Sequence, residues 1–353
     1  MTKNEILKSS ASDVSPEAQA QFEDVKTAES KYGTINYSVI GQANPDKNPI
    51  IIEGGMDNGR VNLLAQADLL ARKGQTQVLI KDQPIYNPEV SKSLKRDPDF
   101  ALNFMAEATI DAAKDAGFLD ENKAINLASH SLGALIAARI REIARTQNIK
   151  QLLPENGSLL ALMGPSGMDP KEGLLKLGIR WPKYVLKGLI EAKALDPTSI
   201  NGKTVGKNAG SDKAKTLGEL KALSDNHVPV NLEGALAIVY PEDHMFPVRD
   251  KRIKKTIEDG QIPFVTPVDY ETAIIGSAEH KKAHLKAHPE KITVNGLQRF
   301  LTKAHLKGRK ARLEYALHHR GAGHDDPANN PERSVNVVVD FFDHPENYGV
   351  KHN

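Results

Sequence analysis

Two serines and a histidine stand in the run Asn126-Leu-Ala-Ser-His-Ser-Leu-Gly-Ala-Leu-Ile-Ala-Ala-Arg139, between a short apolar segment and a longer one. Burying hydroxyls at such a junction costs about 1–3 kcal/mol each unless they find partners. A strand passing into a helix through Ser129-His130-Ser131-Leu132-Gly133 gives Ser131 a use. A tight turn between small residues lifts a serine hydroxyl off the end of a sheet, as in the nucleophile elbow Gly-x-Ser-x-Gly, here with Ser129 in the place of the first glycine. The alternative is a serine that caps a helix. A hydroxyl becomes a nucleophile only when an imidazole removes its proton and a carboxylate holds that imidazole in the right tautomer. The chain has a candidate for each: Asp243 just after the strand-like run in "ALAIVYPEDHMFP", and His324 after a Gly-Ala-Gly loop in "HHRGAGHDDPANNPE". Asp243 also reads as a turn or cap residue, His324 as a solvated loop residue, and Asp169 in "MGPSGMDP" is a second candidate for the acid.

The elements that must carry these residues follow from periodicity. "GTINYSVIG" alternates like a strand, and "NPIIIEGG" is a β-branched run ending in glycines. Asn62 to Gly74 repeats its apolar residues at helical spacing, with Gly74 at the position of a C-terminal stop. "TQVLIKD" returns to strand, Asp97 to Gly117 to helix, "AINLA" to strand, "ALIAARIREIART" to helix and "SLLALMG" to strand. "ALAIVY" resumes the sheet after an interruption, "RLEYAL" reads as the last strand and "PERSVNVVVDFFD" as the closing helix. Strands alternating with helices predict an α/β fold built on a parallel sheet with crossover helices. In such a sheet Ser131, Asp243 and His324 all follow strand C-termini, the edge at which α/β sheets bind ligands.

Four segments resemble the α/β-hydrolase superfamily of esterases, lipases and peptidases, over roughly Tyr32 to Phe342 with two insertions. "NPIIIEGG" is similar to the family's strand ending in His-Gly, with Glu53 where histidine is usual. "ASHSLGA" resembles Gly-His-Ser-Leu-Gly-Gly. "YPEDHMFP" resembles Gly-Glu-Asp-Asp-Pro-x-x-Pro, with Tyr240 in the glycine's place, and "GAGHDDPANNPE" resembles Gly-Ala-Gly-His followed by Pro-Glu. The resemblance implies a mostly parallel sheet of about eight strands flanked by helices, and the chain order Ser, Asp, His is the one that fold uses. It assigns Ser131 as nucleophile, His324 as base and Asp243 as orienting acid, with the backbone N–H groups of Leu132 and Gly55 as the oxyanion hole. Ser129 is expected to pack the elbow and His130 to line the site. A carboxylate at Glu53 would oppose the developing negative charge, so it must point away or take a cationic partner such as Lys81. "LIKDQPIYNPEV" departs from the family's Asp-x-x-Gly-x-Gly-x-Ser, which implies a rebuilt loop.

Composition sets the frame for these motifs. The 353 residues carry a net charge of only +2, which excludes a globally basic nucleic-acid binder, and the absence of cysteine excludes disulfides, thiolate zinc sites and a cysteine nucleophile. No apolar run reaches the length of a signal or membrane segment, which predicts a cytoplasmic protein. The expected organisation is a polar, frayed tail over 1–20, core over 21–168, a helical lid insertion over 169–230, core over 231–262, a basic helical insertion over 263–312 and a C-terminal core segment over 313–353. The lid carries the single tryptophan on amphipathic pieces that would shape an apolar pocket or simply pack. Residues 279–312 contain ten Lys or Arg against two Glu, a solvated face or a surface for anionic substrates or membrane headgroups. With Phe300 as its single aromatic, this stretch does not suggest base stacking, and no specific nucleic-acid partner is expected. His280, His284 and His288 recur at helical spacing, but Pro289 and the lack of carboxylate ligands favour a lysine-rich helix face over a metal site. No metal or cofactor is expected, and the expected partner is a small-molecule acyl substrate. The reading is a serine hydrolase of a carboxylic ester. The alternatives are amide, thioester or carbon–carbon cleavage by the same groups, or a non-catalytic binding protein of the same fold.

Overall fold

The computed structural model describes residues 14–55, 59–82, 93, 98–120, 122–167, 219, 222, 223, 226–229, 232–240, 262–265 and 331–350. Helix α1 (Pro16–Glu23) leads into the antiparallel pair β1 (Lys26–Ser30) and β2 (Gly33–Ile40). Then follow β3 (Ile50–Glu53), α2 (Arg60–Gly74), β4 (Val78–Lys81), α3 (Pro98–Asp115), β5 (Asn126–His130), α4 (Gly133–Gln147) and β6 (Leu160–Met163). β7 (Ala235–Ile238), β8 (Phe264–Val265) and α5 (Pro331–Asp343) complete the described elements. They form one eight-stranded sheet in the order β1-β2-β4-β3-β5-β6-β7-β8, with β2 antiparallel to β4 and every pair from β4 to β8 parallel.

Strands β3 to β8 are buried on both faces, so none alternates apolar with polar residues; β6, β7 and β8 are wholly apolar, while β3 and β4 end in Glu53 and Lys81 and β5 carries Asn126, Ser129 and His130. Their side chains divide between two cores. Ile51, Leu79, Leu127, Leu160, Leu162 and Ala237 face α3 and α4, whereas Ile52, Val78, Ala128, Ala161, Met163 and Ile238 face α1, α2 and α5. Helices on both faces of the parallel sheet are the layering expected from the alternation of strands and helices.

Three details differ from the sequence expectation. The N-terminal tail expected over 1–20 is folded from Val14 onward. Ser15 caps α1 by accepting from the Ala18 amide at 3.2 Å, and its hydroxyl and amide both donate to the buried Asp68 carboxylate on α2. Burial of Ala18 and Phe22 then secures the helix. Helix α2 ends through Gln75, which takes the left-handed conformation at φ 49° while Gly74 closes the helix itself. Two strands have no counterpart in the sequence expectation: β1 at the sheet edge, and β8, which lies at the start of the segment read as a basic helical insertion. "RLEYAL", the lid apart from residues 219, 222, 223 and 226–229, the basic stretch 279–312 and its histidines lie outside the described residues.

Candidate active site

Strand β5 and helix α4 are separated by two residues, Ser131 and Leu132. Ser131 stands at φ 55°, one of three non-glycine residues with positive φ among the described residues; the other two, Gln75 and Asn148, are helix C-caps. A left-handed L-residue costs about 1–2 kcal/mol, and a helix C-cap recovers it by satisfying end carbonyls. Ser131 lies at a helix start, where no such gain is available, so its neighbours must hold it. Its amide donates to the Met163 carbonyl at 3.1 Å, and its own carbonyl accepts from the Ala134 amide at 3.0 Å. The Ser166 amide at 3.2 Å and the Ser166 hydroxyl at 2.8 Å also donate to that carbonyl. Nothing in the sequence marked Ser166, which meets Ser131 only because β6 lies beside β5.

The sharp turn needs room on its flanks. A Cβ on Gly133 would come 2.3 Å from the Glu53 carbonyl oxygen and 2.9 Å from that of Gly54, so α4 begins directly against the backbone leaving β3. Only glycine allows that approach. Ser129, at the place of the family's first glycine, fits because its fully buried hydroxyl donates to the Ala161 carbonyl at 3.2 Å. Glu53 pairs with Ser129 in the β3–β5 register, so Gly55 and Ser131, each two residues further along parallel strands, leave the sheet at the same level. Leu132 and Gly55 are both buried there, on chain segments that touch through Gly133. His130 is likewise buried, with its backbone level with Met163 of β6.

Glu53 answers the question its charge raised. Its side chain belongs to the face that packs α3 and α4, where the Thr109 hydroxyl donates to Oε1 and the Lys81 ammonium stands 3.5 Å from Oε2. Both charged groups are almost wholly buried, at 1% and 3% exposure. The carboxylate therefore lies in the core on the α3 face of the sheet, paired with Lys81. Thr109 Oγ1 also stands 3.0 Å from the Met105 carbonyl one turn back in α3, so its single proton is shared between two acceptors, and no sequence signal identified it as a partner of Glu53. Asp82, the next residue after Lys81, accepts from the Arg60 amide at 3.1 Å and from the Arg60 guanidinium at 3.1 Å, so it caps α2 from the end of β4. That capping role is legible only in three dimensions.

Asp243, His324 and the alternative acid Asp169 lie outside the described residues. β7 ends at Ile238, level with Met163 and hence with the elbow, five residues before Asp243 in the chain. Its continuation is anchored by Tyr240, whose hydroxyl shares a hydrogen bond of 2.8 Å with Ser334 on α5. Among the described residues no group of His, Asp and Glu is arranged to hold a metal ion, and no helix is long and apolar enough to cross a membrane.

No family model and no curated protein matches the sequence. Solved structures do. A thermophilic esterase from Thermogutta terrifontis is 13% identical, with 92% of this chain and 99% of that chain covered and a TM-score of 0.50. A serine hydrolase from the bacterium Cycloclasticus zankles is 13% identical, with 91% of this chain and 98% of that chain covered and a TM-score of 0.51. At such identity the likeness speaks for the fold. Together with the strand order and the strained serine between β5 and α4, it makes the chain an α/β-hydrolase-fold protein.

Proposed function

We propose that the protein is a serine hydrolase that cleaves a carboxylic ester or a related acyl compound through an acyl-enzyme. The observation that carries this reading is the left-handed Ser131 at the start of α4, a strain of about 1–3 kcal/mol that a plain strand-to-helix connection has no need to store. Ser131 Oγ attacks the acyl carbon while His324 takes its proton, and Asp243 holds His324 in the required tautomer. His324 then returns the proton to the departing alcohol, and a water molecule, activated by the same imidazole, releases the acid and restores the serine. The backbone N–H groups of Leu132 and Gly55 receive the charge that grows on the carbonyl oxygen. The pairing of Glu53 with Lys81 supports this reading, because a carboxylate neutralised by a cation opposes an oxyanion less. The esterase and serine-hydrolase activities of the two similar structures point the same way. The basic stretch 279–312 is assigned in this proposal to gathering anionic substrates or membrane headgroups.

Labelling with a fluorophosphonate probe tests the nucleophile. The wild-type chain should react, and Ser131→Ala should not, while retaining the thermal midpoint of the folded protein. His324→Ala and Asp243→Asn should each remove most turnover of para-nitrophenyl acetate, because the three groups act as one unit, whereas Asp169→Asn should not. The rate should also decline below about pH 6.5 as the imidazole is protonated. A folded wild-type chain that fails to react would instead favour the binding protein of the same fold.

A further inference from the structure

The Ser131 carbonyl oxygen accepts three hydrogen bonds, and they differ in origin. The one from Ala134 is the opening turn of α4. The other two come from a single residue, Ser166, through its amide at 3.2 Å and its hydroxyl at 2.8 Å. Ser166 is fully buried on the loop that follows β6. That loop is fastened on both sides: the Gly164 amide donates to the Ile238 carbonyl at 2.8 Å, and the Gly167 carbonyl accepts from the Val228 amide at 3.0 Å. Gly167 itself, at φ 74°, sits where a Cβ would come within 2.6 Å of Leu135 on α4.

The Ser131 carbonyl and the Leu132 N–H are the two ends of one planar peptide and point in opposite directions. Whatever fixes the carbonyl fixes the N–H. Donors on the oxygen also polarise the amide, which makes its N–H a stronger donor in a site of low dielectric. We propose that Ser166 is a positioning residue of the oxyanion hole: by clamping the Ser131–Leu132 peptide it aims and strengthens the Leu132 N–H, and it holds Ser131 in its strained conformation. The proposal rests on the reading of Ser131 as the nucleophile. Ser166 meets no reacting atom in this role. Its effect therefore belongs to the step in which negative charge develops, and substrate binding in the ground state is left alone.

In Ser166→Ala the kcat for para-nitrophenyl acetate should fall about tenfold, less than loss of an oxyanion donor outright, with KM unchanged and the thermal midpoint lowered only by the few degrees that one buried hydrogen bond of about 1 kcal/mol is worth. Affinity for butylboronic acid, whose boron takes up the serine oxygen to form a tetrahedral anion, should fall by the same factor. Ser166→Thr keeps a hydroxyl and should recover the rate, while Ser166→Cys, close in size but a weak donor, should resemble the alanine variant. Unchanged kcat and boronate affinity would overturn the proposal, as would a loss of rate matched by an equal rise in KM or one that Ser166→Thr does not recover. If Ser166→Ala does not fold, Ser166→Cys carries the comparison, and full activity there also overturns it. A folded wild-type chain that does not react with the fluorophosphonate probe would refute the nucleophile, and with it the premise. A reactive wild type with an unaffected Ser166→Ala would refute only the role of Ser166.

Discussion

Glu53 and Lys81 show what a charged pair costs beneath the edge of the sheet that carries Ser131. Removing two ions from water carries a penalty of several kcal/mol each, which mutual attraction repays only with good geometry and further hydrogen bonds. Thr109 supplies one such bond to Oε1, while Oε2 accepts no hydrogen bond among the described residues and faces Lys81 at 3.5 Å. Deleting one partner leaves the other charge stranded. Lys81→Met should therefore destabilise the protein by about 3–5 kcal/mol in denaturant unfolding, and the double variant Glu53→Gln/Lys81→Met should recover much of that loss. Equal losses for the single and double variants would mean that the two side chains do not act as a pair. Arg141 on α4 is a buried cation of another kind. It is fully buried and donates to the carbonyls of Ser158, at 3.0 Å, and Glu233, with Nε unpartnered. Burial, followed by repulsion from Arg145, pushes its guanidinium down to about 9, so it stays charged at neutral pH while fastening the chain ahead of β6 and β7.

At the scale of elements, the junction of β5, α4 and β3 depends on one glycine. Gly133→Ala would drive a methyl group into two backbone carbonyls that cannot swing aside, so α4 must lift off β3. Overpacking of this kind costs about 1–3 kcal/mol, and it displaces the peptide that carries the Leu132 N–H. The variant should lose at least about a hundredfold in turnover, the scale of one oxyanion donor, together with several degrees in thermal midpoint. Gly74 gives the contrast. A Cβ there meets its neighbours at 3.6–3.9 Å, ordinary contact, at the end of a helix whose left-handed residue is Gln75. Gly74→Ala should leave activity alone and raise stability by about 0.4–1 kcal/mol. Matched melts and esterase assays on the two variants check both statements, and similar outcomes for the two would show that backbone approach at Gly133 is not limiting.

At the scale of the whole molecule, charge is unevenly distributed along the chain. The chain is nearly neutral at +2, yet residues 279–312 alone carry +8, ten basic minus two acidic residues with histidines neutral. If that stretch draws anionic substrates towards Ser131, the attraction is screened as the Debye length shrinks from about 30 Å at 0.01 M salt to about 10 Å at 0.1 M. Salt should then lower kcat/KM for an anionic ester and spare a neutral ester of the same acyl group. Neutralising Lys281, Lys282 and Lys286 should do likewise, since steering acts on encounter rather than on the triad. Equal effects on both esters would reduce the stretch to a solvated face.

Strands β2 to β7, helices α2 to α5 and the elbow motif around Ser131 were legible along the chain. Helical spacing over 331–343, β-branched runs over 50–53 and small residues around Ser131 are set by neighbours a few positions apart. The need of Glu53 for a cation was legible too, because a carboxylate at that motif position conflicts with the chemistry on elementary grounds. Other features depended on which elements lie side by side. The two-residue strand β8 is too short to carry a period and exists by pairing with β7. Thr109 reaches Glu53 across 56 positions because α3 covers β3, and Ser166 reaches Ser131 across 35 because β6 adjoins β5. The left-handed state of Ser131 belongs with these. Its local preference opposes that conformation, and hydrogen bonds arriving from Met163 and Ser166 on the neighbouring strand and its loop hold it there. Local periodicity can specify an element, but a strained residue is maintained by partners that only the packed sheet brings together.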